Sequence, residues 1–312
     1  METAQGPAPL SRCIVLQAEP APGVLYLVGT PIGNLGDLSP RARQVLAGAS
    51  LIACEDTRRS GLLLHQLGLR DRTEGTGARL ISFHQHNQSR RIAELIAALQ
   101  AGSSVAVVSD AGLPGISDPG EPLVAAAREA GLPVICIPGP SAVTTALVSS
   151  GLPAGRFCFE GFLPAKATQR RAHLTALAHE ERTLVLYEAP HRLLALLEDL
   201  LLVLGDRPLR VARELTKRHE EQVGPTVSAA LAHFRVVPPQ GECTLVLGGA
   251  PVAAAPSWDG AALRAELDAL LEKGLSRREA ARTLAERSGH RKRELYALLH
   301  EDNATGAEPQ PD

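Results

Sequence analysis

The sequence predicts an α/β protein of two lobes followed by a small helical unit. Short apolar runs alternate with helical stretches, which predicts parallel strands joined by helical crossovers. Residues 151–156 hold two glycines and a proline between apolar runs, and we place a lobe boundary there. Residues 250–256 form an Ala/Pro linker. The predicted units are a disordered tail over residues 1–21, lobes over 22–153 and 154–250, a helical unit over 257–300 and a disordered tail over 301–312.

The first lobe is predicted from apolar runs at residues 24–28, 51–54, 80–83, 105–108 and 134–137. A helix follows the first run and begins at Ser39, a good N-cap residue with Pro40 at the first helical position. Polar clusters follow the second and third runs, at residues 55–59 and 84–87. Because the carboxyl ends of parallel strands meet at one edge of a sheet, we expect these clusters to converge.

Two loops of the first lobe indicate a small-molecule site. The loop over residues 109–120 crowds glycine and proline together, which gives a rigid path whose backbone approaches a ligand closely. The loop over residues 138–142 leads into a helix at Ser141, where free backbone N–H groups face the same side. Neither a P-loop nor a GxGxxG motif is present, so a ligand without phosphate is as well supported as a nucleotide.

The second lobe is predicted to follow the same pattern, in which apolar strands end in polar stretches. Residues 183–187 form an apolar strand ending in the polar stretch 188–192, and residues 209–212 end in the stretch 213–217. Residues 243–247 close the lobe. Residues 157–162 include three phenylalanines in a chain with only 3% aromatic residues, so this stretch is either a core strand or a lining of the cleft. We favour a core role over a base-stacking surface.

Composition excludes several classes of protein. With 312 residues, 45% hydrophobic and 21% charged, the chain is globular and long enough for two cores. Its net charge of −2 means that a contact with nucleic acid needs a local basic patch. The five cysteines are scattered without a CxxC pair, which favours buried, reduced thiols and no metal in a cytoplasmic protein. No apolar run reaches the length of a membrane span.

The helical unit holds such a basic patch. Residues 273–293 contain eight Lys or Arg against two Glu, and residues 276–287 and 292–299 predict two helices around a glycine turn. A charged helical face is often only solvated. We expect contact with RNA phosphates, because the rest of the chain is slightly acidic.

With these residues, the chain resembles the tetrapyrrole methylase superfamily, and within it the branch that methylates a cytidine 2′-hydroxyl in the decoding region of 16S ribosomal RNA. Seven stretches, in family order across both lobes, carry the resemblance. They are VGTPIGNLGDLSPR (28–41), CEDTR (54–58), SDAGLPGISDPG (109–120), PGPSA (138–142), FEGFLP (159–164), YEAPHR (187–192) and RELTK (213–217). Together these motifs are highly specific, although each alone is weak.

The resemblance implies a two-lobed fold with S-adenosylmethionine in the cleft between the lobes, and a homodimer that acts on 16S ribosomal RNA, in our expectation within the small ribosomal subunit. Family members contact the cofactor largely through backbone. The matching residues here are Pro31, Ile32, Asp110, Ala111, Gly112, Gly115, Ser141, Ala142, Glu188 and Leu215.

One departure bears on the substrate. Porphyrin-type members carry an acidic residue where this chain has Asn34, which counts against a porphyrin substrate. The alternatives are a porphyrin or diphthine methyltransferase of the same fold, since fold alone does not determine function, and a ribosome-associated binding protein without turnover.

A ribose hydroxyl is a weak nucleophile, so a nearby base or cation would assist methyl transfer. The candidates are Glu214, Lys217, Glu55 and His84. Glu214 with Lys217 is attractive because a carboxylate accepts the proton while an ammonium stabilises the alkoxide.

Several of these residues have a structural alternative. Glu55 and Asp56 could begin a helix and pair with the arginines that follow. The pair His84 and His86, placed on one strand face, lacks a third metal ligand, so we favour an RNA or structural contact. The candidates for RNA contact are His86, Asn87, His191, Arg192, Arg213, Arg277, Arg278, Arg282, Arg291, Lys292 and Arg293.

Overall fold

The computed structural model describes residues 20–69, 77–251 and 258–299, in two compact units, Met1–Ala250 and Pro251–Asp312. The first unit contains two sheets, one from each predicted lobe. The tails predicted over residues 1–21 and 301–312 lie outside the described residues, apart from residues 20 and 21.

The first sheet is parallel, as predicted, with the order β3-β2-β4-β1-β5. Its strands are β1 (Leu25–Val28), β2 (Leu51–Cys54), β3 (Arg79–Ser82), β4 (Val105–Val108) and β5 (Val134–Ile137). Its helices are α1 (Pro40–Gly48), α2 (Thr57–Gln66), α3 (Gln88–Gln100), α4 (Glu121–Glu129) and α5 (Ala142–Ser149). The central β4 is buried along its length, and apolar clusters cover both faces of the sheet. Continuous apolar strands are typical of such a doubly covered sheet.

The second sheet is mixed, with the order β6-β7-β10-β8-β9, and only its β6–β7 pair is parallel among the described residues. Its strands are β6 (Phe157–Phe162), β7 (Thr183–Glu188), β8 (Leu209–Arg213), β9 (Glu221–Val223) and β10 (Cys243–Leu247). Its helices are α6 (Ala167–Ala176), α7 (Pro190–Leu204) and α8 (Val227–Val236). The parallel strand pairing of the first lobe is therefore not kept throughout the second lobe. The connection from β8 to β9 is too short for a helical crossover, so these strands pair antiparallel.

The antiparallel direction of β10 determines which of its residues lie near the site. Cys243 at its amino end pairs with Glu188 at the end of β7 and with Arg213 at the end of β8. The residues that begin β10 therefore lie beside the polar stretches that end β7 and β8.

The two sheets of the first unit share an apolar cluster. Ile32, Val143 and Leu147 come from the first sheet's loops and helices, and Val185, Ala212, Leu215 and Val246 come from the second lobe. A hydrogen bond of 2.6 Å from Gln222 Nε2 to Ser149 Oγ adds a polar link. Burial of this cluster holds the lobes together, since each buried aliphatic side chain contributes roughly 1.5–3 kcal/mol.

The second unit consists of α9 (Gly260–Glu272), α10 (Arg277–Ser288) and α11 (Lys292–Leu298), around a small leucine and alanine core. The two predicted basic helices correspond to α10 and α11. Ser276 and Glu279 form a capping box at the start of α10, and Gly289 ends it with φ 72°.

Cysteine burial is only partly as predicted. Cys54 and Cys243 are buried, Cys158 is half-buried and Cys136 is exposed, and none of these four described cysteines forms a disulfide. Cys136 is exposed because β5 is an edge strand. Over the described ranges, no helix combines the length and hydropathy that crossing a membrane requires.

The loops that follow β1 and β5 meet at two glycines. A Cβ built at Gly139 would lie 2.8 Å from Gly29 Cα, a distance that real side chains do not adopt. We expect Gly139→Ala to lower the free energy of unfolding by about 1–3 kcal/mol, the usual cost of overpacking. Urea denaturation measures this change.

The matched control is Gly155→Ala, because no heavy atom lies within 4 Å of a Cβ built at Gly155 and its backbone is not left-handed. Its stability should change by less than about 0.5 kcal/mol. Equal stabilities for the two variants would contradict the backbone contact.

Candidate active site

A cavity of about 320 Å³ lies at the carboxyl edge of the first sheet, where the two lobes of the first unit meet. Its wall comes from the loops after β1, β4 and β5, the ends of β6 and β7, and the start of β10. The lining residues are Ile32, Asp110, Ala111, Gly112, Leu113, Ile116, Ser117, Asp118, Ser141, Ala142, Phe162, Tyr187, Glu188, Ala189, Pro190, Glu242, Cys243 and Thr244.

The cavity brings together seven of the ten residues predicted to bind the cofactor, namely Ile32, Asp110, Ala111, Gly112, Ser141, Ala142 and Glu188. Of the others, Leu215 is buried in the cluster between the lobes. Pro31 precedes the lining residue Ile32 without lining the cavity itself. Gly115 has φ 86° and forms a turn inside the loop 109–120. The prediction for the main loops thus agrees with the geometry of the cavity.

Backbone hydrogen bonds lock these loops together. Thr30 N donates to Gly112 O at 2.8 Å, and Gly112 N donates to Thr30 O at 3.1 Å. The buried hydroxyl of Thr30 donates to Gly112 O at 3.2 Å, and that of Ser109 donates to the same oxygen at 3.2 Å. These hydrogen bonds fix the loops at the floor of the cavity without any contribution from a ligand.

Two carboxylates in the wall have an oxygen without a hydrogen-bond partner among the described residues, Asp110 Oδ1 and Glu188 Oε2. The other oxygen of Asp110 pairs with Arg59 Nη1 at 2.7 Å. Glu188 Oε1 accepts from Ala189 N at 2.8 Å, and Arg192 Nε lies 3.1 Å away. Burial raises the pKa of Glu188, opposed by the bond from Ala189 and the nearby cations. Both free oxygens are available to a donor in the cavity.

Asp118 was not among the predicted catalytic residues, yet it lines the cavity. Burial, together with the negative charge of Glu55, raises the pKa of Asp118 to about 6, against a lowering hydrogen bond from Ser109. A carboxyl with a pKa near neutrality is suited to accept a proton. The signal in the sequence was its place in the glycine and proline loop. Burial, which only the fold shows, distinguishes it from other acids.

Glu214 and Lys217 form an ion pair of 3.0 Å beside the cavity without lining it. Lys217 Nζ also lies 3.8 Å from Glu242, which does line the cavity. Glu214 Oε1 further accepts from the backbone N of Glu242. The pair thus supports the start of β10, through the bond from Glu242 N to Glu214 Oε1.

The predicted acids and histidines of the first lobe separate into different environments. Glu55 is exposed, while Asp56 caps α2 by accepting from Arg58 N at 2.8 Å. His84 and His86 lie in a turn beyond β3, so the prediction that they share a strand face is wrong. Their rings meet edge to face at 5.9 Å.

Asn87 holds this turn, since its Oδ1 accepts from His84 N at 2.9 Å and its Nδ2 donates to Ser82 O. Asn87 therefore stabilises the loop after β3. Where the chain is described, no three His, Cys, Asp or Glu side chains are grouped as metal ligands.

Two arginines predicted to contact RNA are engaged inside the second lobe. Arg192 Nη2 donates to Leu163 O at 2.6 Å, and its Nε faces Glu188. Arg213 Nε donates to Glu221 Oε1 at 2.7 Å, and its Nη1 donates to Gln240 O. These guanidinium groups stabilise strand ends and loops around the cavity. His191, by contrast, is exposed at the start of α7.

The basic residues that we predicted to contact RNA in the second unit are exposed, as an RNA contact requires. Arg287 pairs with Glu266 at 2.5 Å and lies over the Trp258 ring. The exposed side chains predicted for RNA are Arg277, Arg278, Arg282, Arg291, Lys292 and Arg293.

Comparisons with known proteins give one consistent family. The family model for Tetrapyrrole (Corrin/Porphyrin) Methylases matches residues 24–232. Ribosomal RNA small subunit methyltransferase I of Synechocystis sp. is 52% identical over 285 residues, which cover 91% of this chain and 100% of that relative. The enzyme of the same name from Escherichia coli O157:H7 is 46% identical, with 89% of this chain and 95% of that relative covered.

Among solved structures, uroporphyrin-III-C-methyltransferase from Thermus thermophilus is similar to this chain. Its TM-score is 0.51 and its sequence identity 26%, over 72% of this chain and 94% of that chain. This similarity covers most of the chain and shows that the two proteins share an α/β fold.

Gly112 offers a direct test of the cavity. Its φ of 82° is one that a β-branched residue rarely adopts, and a Cβ there would lie 3.4 Å from Ile32 Cγ2. We expect Gly112→Val to weaken S-adenosylmethionine binding at least about 10-fold, measured by calorimetry, because the added methyl groups occupy space in the wall.

Gly131→Val is the matched control, since Gly131 has φ 69° and no atom within 4 Å of a built Cβ. It carries similar backbone strain in open space, so its affinity should equal that of the unmodified chain. Equal affinities for both variants would mean that the ligand does not reach Gly112.

Proposed function

We infer that this chain, which belongs to the tetrapyrrole methylase family, is an S-adenosylmethionine-dependent methyltransferase of 16S ribosomal RNA in the small ribosomal subunit. We propose the 2′-hydroxyl of a cytidine in the decoding region as the methyl acceptor. The carrying observation is that the chain matches the whole length of a curated small-subunit RNA methyltransferase at 52% identity. An enzyme is favoured over a binding protein because the cavity keeps free acceptor atoms and a proton acceptor side by side.

The residues of the cavity fit S-adenosylmethionine. That molecule carries a sulfonium, an ammonium and two ribose hydroxyls, and the wall offers the unpartnered oxygens Asp110 Oδ1 and Glu188 Oε2. Buried polar atoms without partners are rare in proteins and indicate a missing ligand. Gly112, which has no side chain, and Ala142, whose side chain is small, leave room beside these acceptors. We propose that these four residues hold the cofactor.

When bound, the cofactor supplies an activated methyl group, which the ribose oxygen takes in an in-line displacement that releases S-adenosylhomocysteine and a proton. The chain's part is to hold the ribose in line, to exclude water and to take that proton. Positioning supplies most of the acceleration, because two reactants held in place no longer lose translational freedom in the reaction step.

We propose that Asp118 accepts the hydroxyl proton. It lines the cavity, and its carboxyl is ionised above a pKa of about 6, so it is ready as a base at neutral pH. The first proposed base, Glu214, instead pairs with Lys217 outside the wall. Glu55 then acts at a distance, by keeping the pKa of Asp118 high.

We further propose that the exposed cations of α10 and α11 bind RNA phosphates. Positive charge on a surface supplies most of the sequence-independent affinity for RNA. We propose a homodimer on the basis of the resemblance alone, and a cytoplasmic location because the proposed substrate is ribosomal RNA. We keep the two lobes, 22–153 and 154–250, as folding domains, supported by their separate sheets.

The function is tested with purified protein, cofactor labelled in its methyl group, and small subunits from a strain without the corresponding gene. The label should enter 16S RNA, and mass spectrometry of nuclease fragments should find it on the ribose of one cytidine. Uroporphyrin offered in parallel should stay unlabelled. Transfer to the porphyrin, or to a base instead of a ribose, would overturn the assignment.

The role of Asp118 predicts a pH profile. Since only the carboxylate accepts a proton, single-turnover rates should fall about tenfold per pH unit below about pH 6 and level off above it. Asp118→Asn should slow methyl transfer by about 10²–10⁴-fold and remove this inflection.

Glu129→Gln removes an exposed carboxylate of the same lobe and serves as the control. It should keep both rate and profile. A variant at Asp118 that retains the inflection would assign it to another group.

The basic unit predicts a salt dependence. Replacing Arg291, Lys292 and Arg293 with Ala should lower RNA affinity and reduce the slope of log K against log salt by about 2, given about 0.7 per phosphate contact. Cofactor affinity should not change. The control is Arg128→Ala, an exposed cation of the first lobe. An unchanged slope would place the RNA on another surface.

A further inference from the structure

Phe162 is an aromatic residue whose side chain is exposed to solvent. It ends β6, lines the cavity and is 55% exposed. The sequence favoured a core role for residues 157–162, but Phe157 is 37% exposed and the strand is nowhere fully buried. The core assignment is therefore wrong for both ends of β6. An exposed phenylalanine at a cavity indicates a ligand with an apolar face.

A β-bulge gives Phe162 its direction. The pairing of β6 with β7 shifts between Phe159 and Gly161, which leaves Glu160 as the extra residue, and Gly161 has φ 62°. In a regular strand, side chains three positions apart point to opposite faces. Here Phe159 and Phe162 both contact the Tyr187 ring, at centroid distances of 5.0 and 5.5 Å. Bulges occur beside active sites because they redirect a side chain in this way.

The bulge also faces the loop of the first lobe. A Cβ built at Gly161 would lie 3.2 Å from Ser117 Oγ, so the bulge and this loop nearly touch. Ser117 lines the cavity and adopts φ 60°, which is uncommon outside glycine. Phe162, Ser117 and Asp118 therefore lie around one part of the cavity.

The chemistry of this corner fits a nucleobase. The Tyr187 ring in contact with Phe162 is a neutral phenol at physiological pH, and burial raises its pKa further, to about 12. RNA is recognised chiefly through unpaired bases that stack on aromatic side chains. A base at Phe162 would hold its own ribose near Asp118 in the same wall. Gly112, which lines the same cavity, is buried.

We propose that Phe162 is a positioning residue that stacks on the base of the methylated nucleotide and so holds its ribose over the cavity. This rests on the proposed function, since it presumes that RNA is the acceptor. Stacking is tolerant of base identity, so Phe162 supplies affinity and alignment, while hydrogen bonds to the base supply the choice of cytidine.

The test compares Phe162→Ala, Phe162→Leu and Phe162→Trp with Phe157→Ala, a matched change on the same strand at a residue outside the cavity wall. Phe162→Ala and Phe162→Leu should lower kcat/KM for small subunits by about 10–100-fold, the range expected for one lost stack. Phe162→Trp should keep it. All four should bind S-adenosylmethionine within about twofold of the unmodified chain, measured by calorimetry, which also shows that each is folded.

A fluorescence measurement separates the base from the cofactor. The chain has a single tryptophan, Trp258, so Phe162→Trp combined with Trp258→Phe leaves one reporter at the cavity. Its emission should be quenched by substrate RNA and unchanged by S-adenosylhomocysteine. Quenching by S-adenosylhomocysteine, or a loss of cofactor affinity in Phe162→Ala, would show that Phe162 packs against the cofactor and would overturn the proposal.

Two other results are informative. Equal kcat/KM in Phe162→Ala and Phe157→Ala would also overturn the stacking role, while leaving methylation of RNA intact. If the unmodified chain methylates no RNA, the proposed function itself fails, and with it the premise of this inference.

Discussion

The contact between two loop backbones, at Gly29 and Gly139, is the constraint on which the site depends. Adjacent parallel strands bring both loops to the same edge of the sheet, and the absence of side chains lets them touch. The paired hydrogen bonds between Thr30 and Gly112 then attach the third loop. Because these loops are already ordered, binding of a ligand to their main chain costs little additional conformational entropy of the protein.

The second lobe completes the site by a different topology. Its sheet is mixed, so strands both end and begin beside the cavity. Glu188 arrives at the end of β7, while Thr244 arrives at the start of β10. The apolar cluster that includes Leu147 and Val246 fixes this lobe against the first. The cleft is thus a consequence of packing between two sheets that each have their own apolar core.

The cofactor and the RNA backbone require surfaces of opposite charge. The cavity wall carries Asp110, Asp118, Glu188 and Glu242, which suits a cationic cofactor and opposes phosphate. The exposed cations of α10 and α11 suit the RNA backbone. RNA can therefore enter the acidic cavity only with its neutral parts, the base and the ribose. An exposed aromatic ring at Phe162 meets this requirement, because stacking needs no charge.

Sequence alone determined the parallel first lobe, the basic helices and the loops that line the cavity, because glycine, proline and short apolar runs act locally. Gly112 and Ser141 belong to loops predicted on that basis, Ile32 was predicted from the family resemblance, and all three line the cavity. Tertiary structure alone decided the rest. Burial raises the pKa of Asp118, Arg192 donates to the carbonyl of Leu163, and a bulge between Phe159 and Gly161 precedes Phe162, which lines the cavity. Burial, pairing and register depend on residues far apart in the chain, and no local pattern records them.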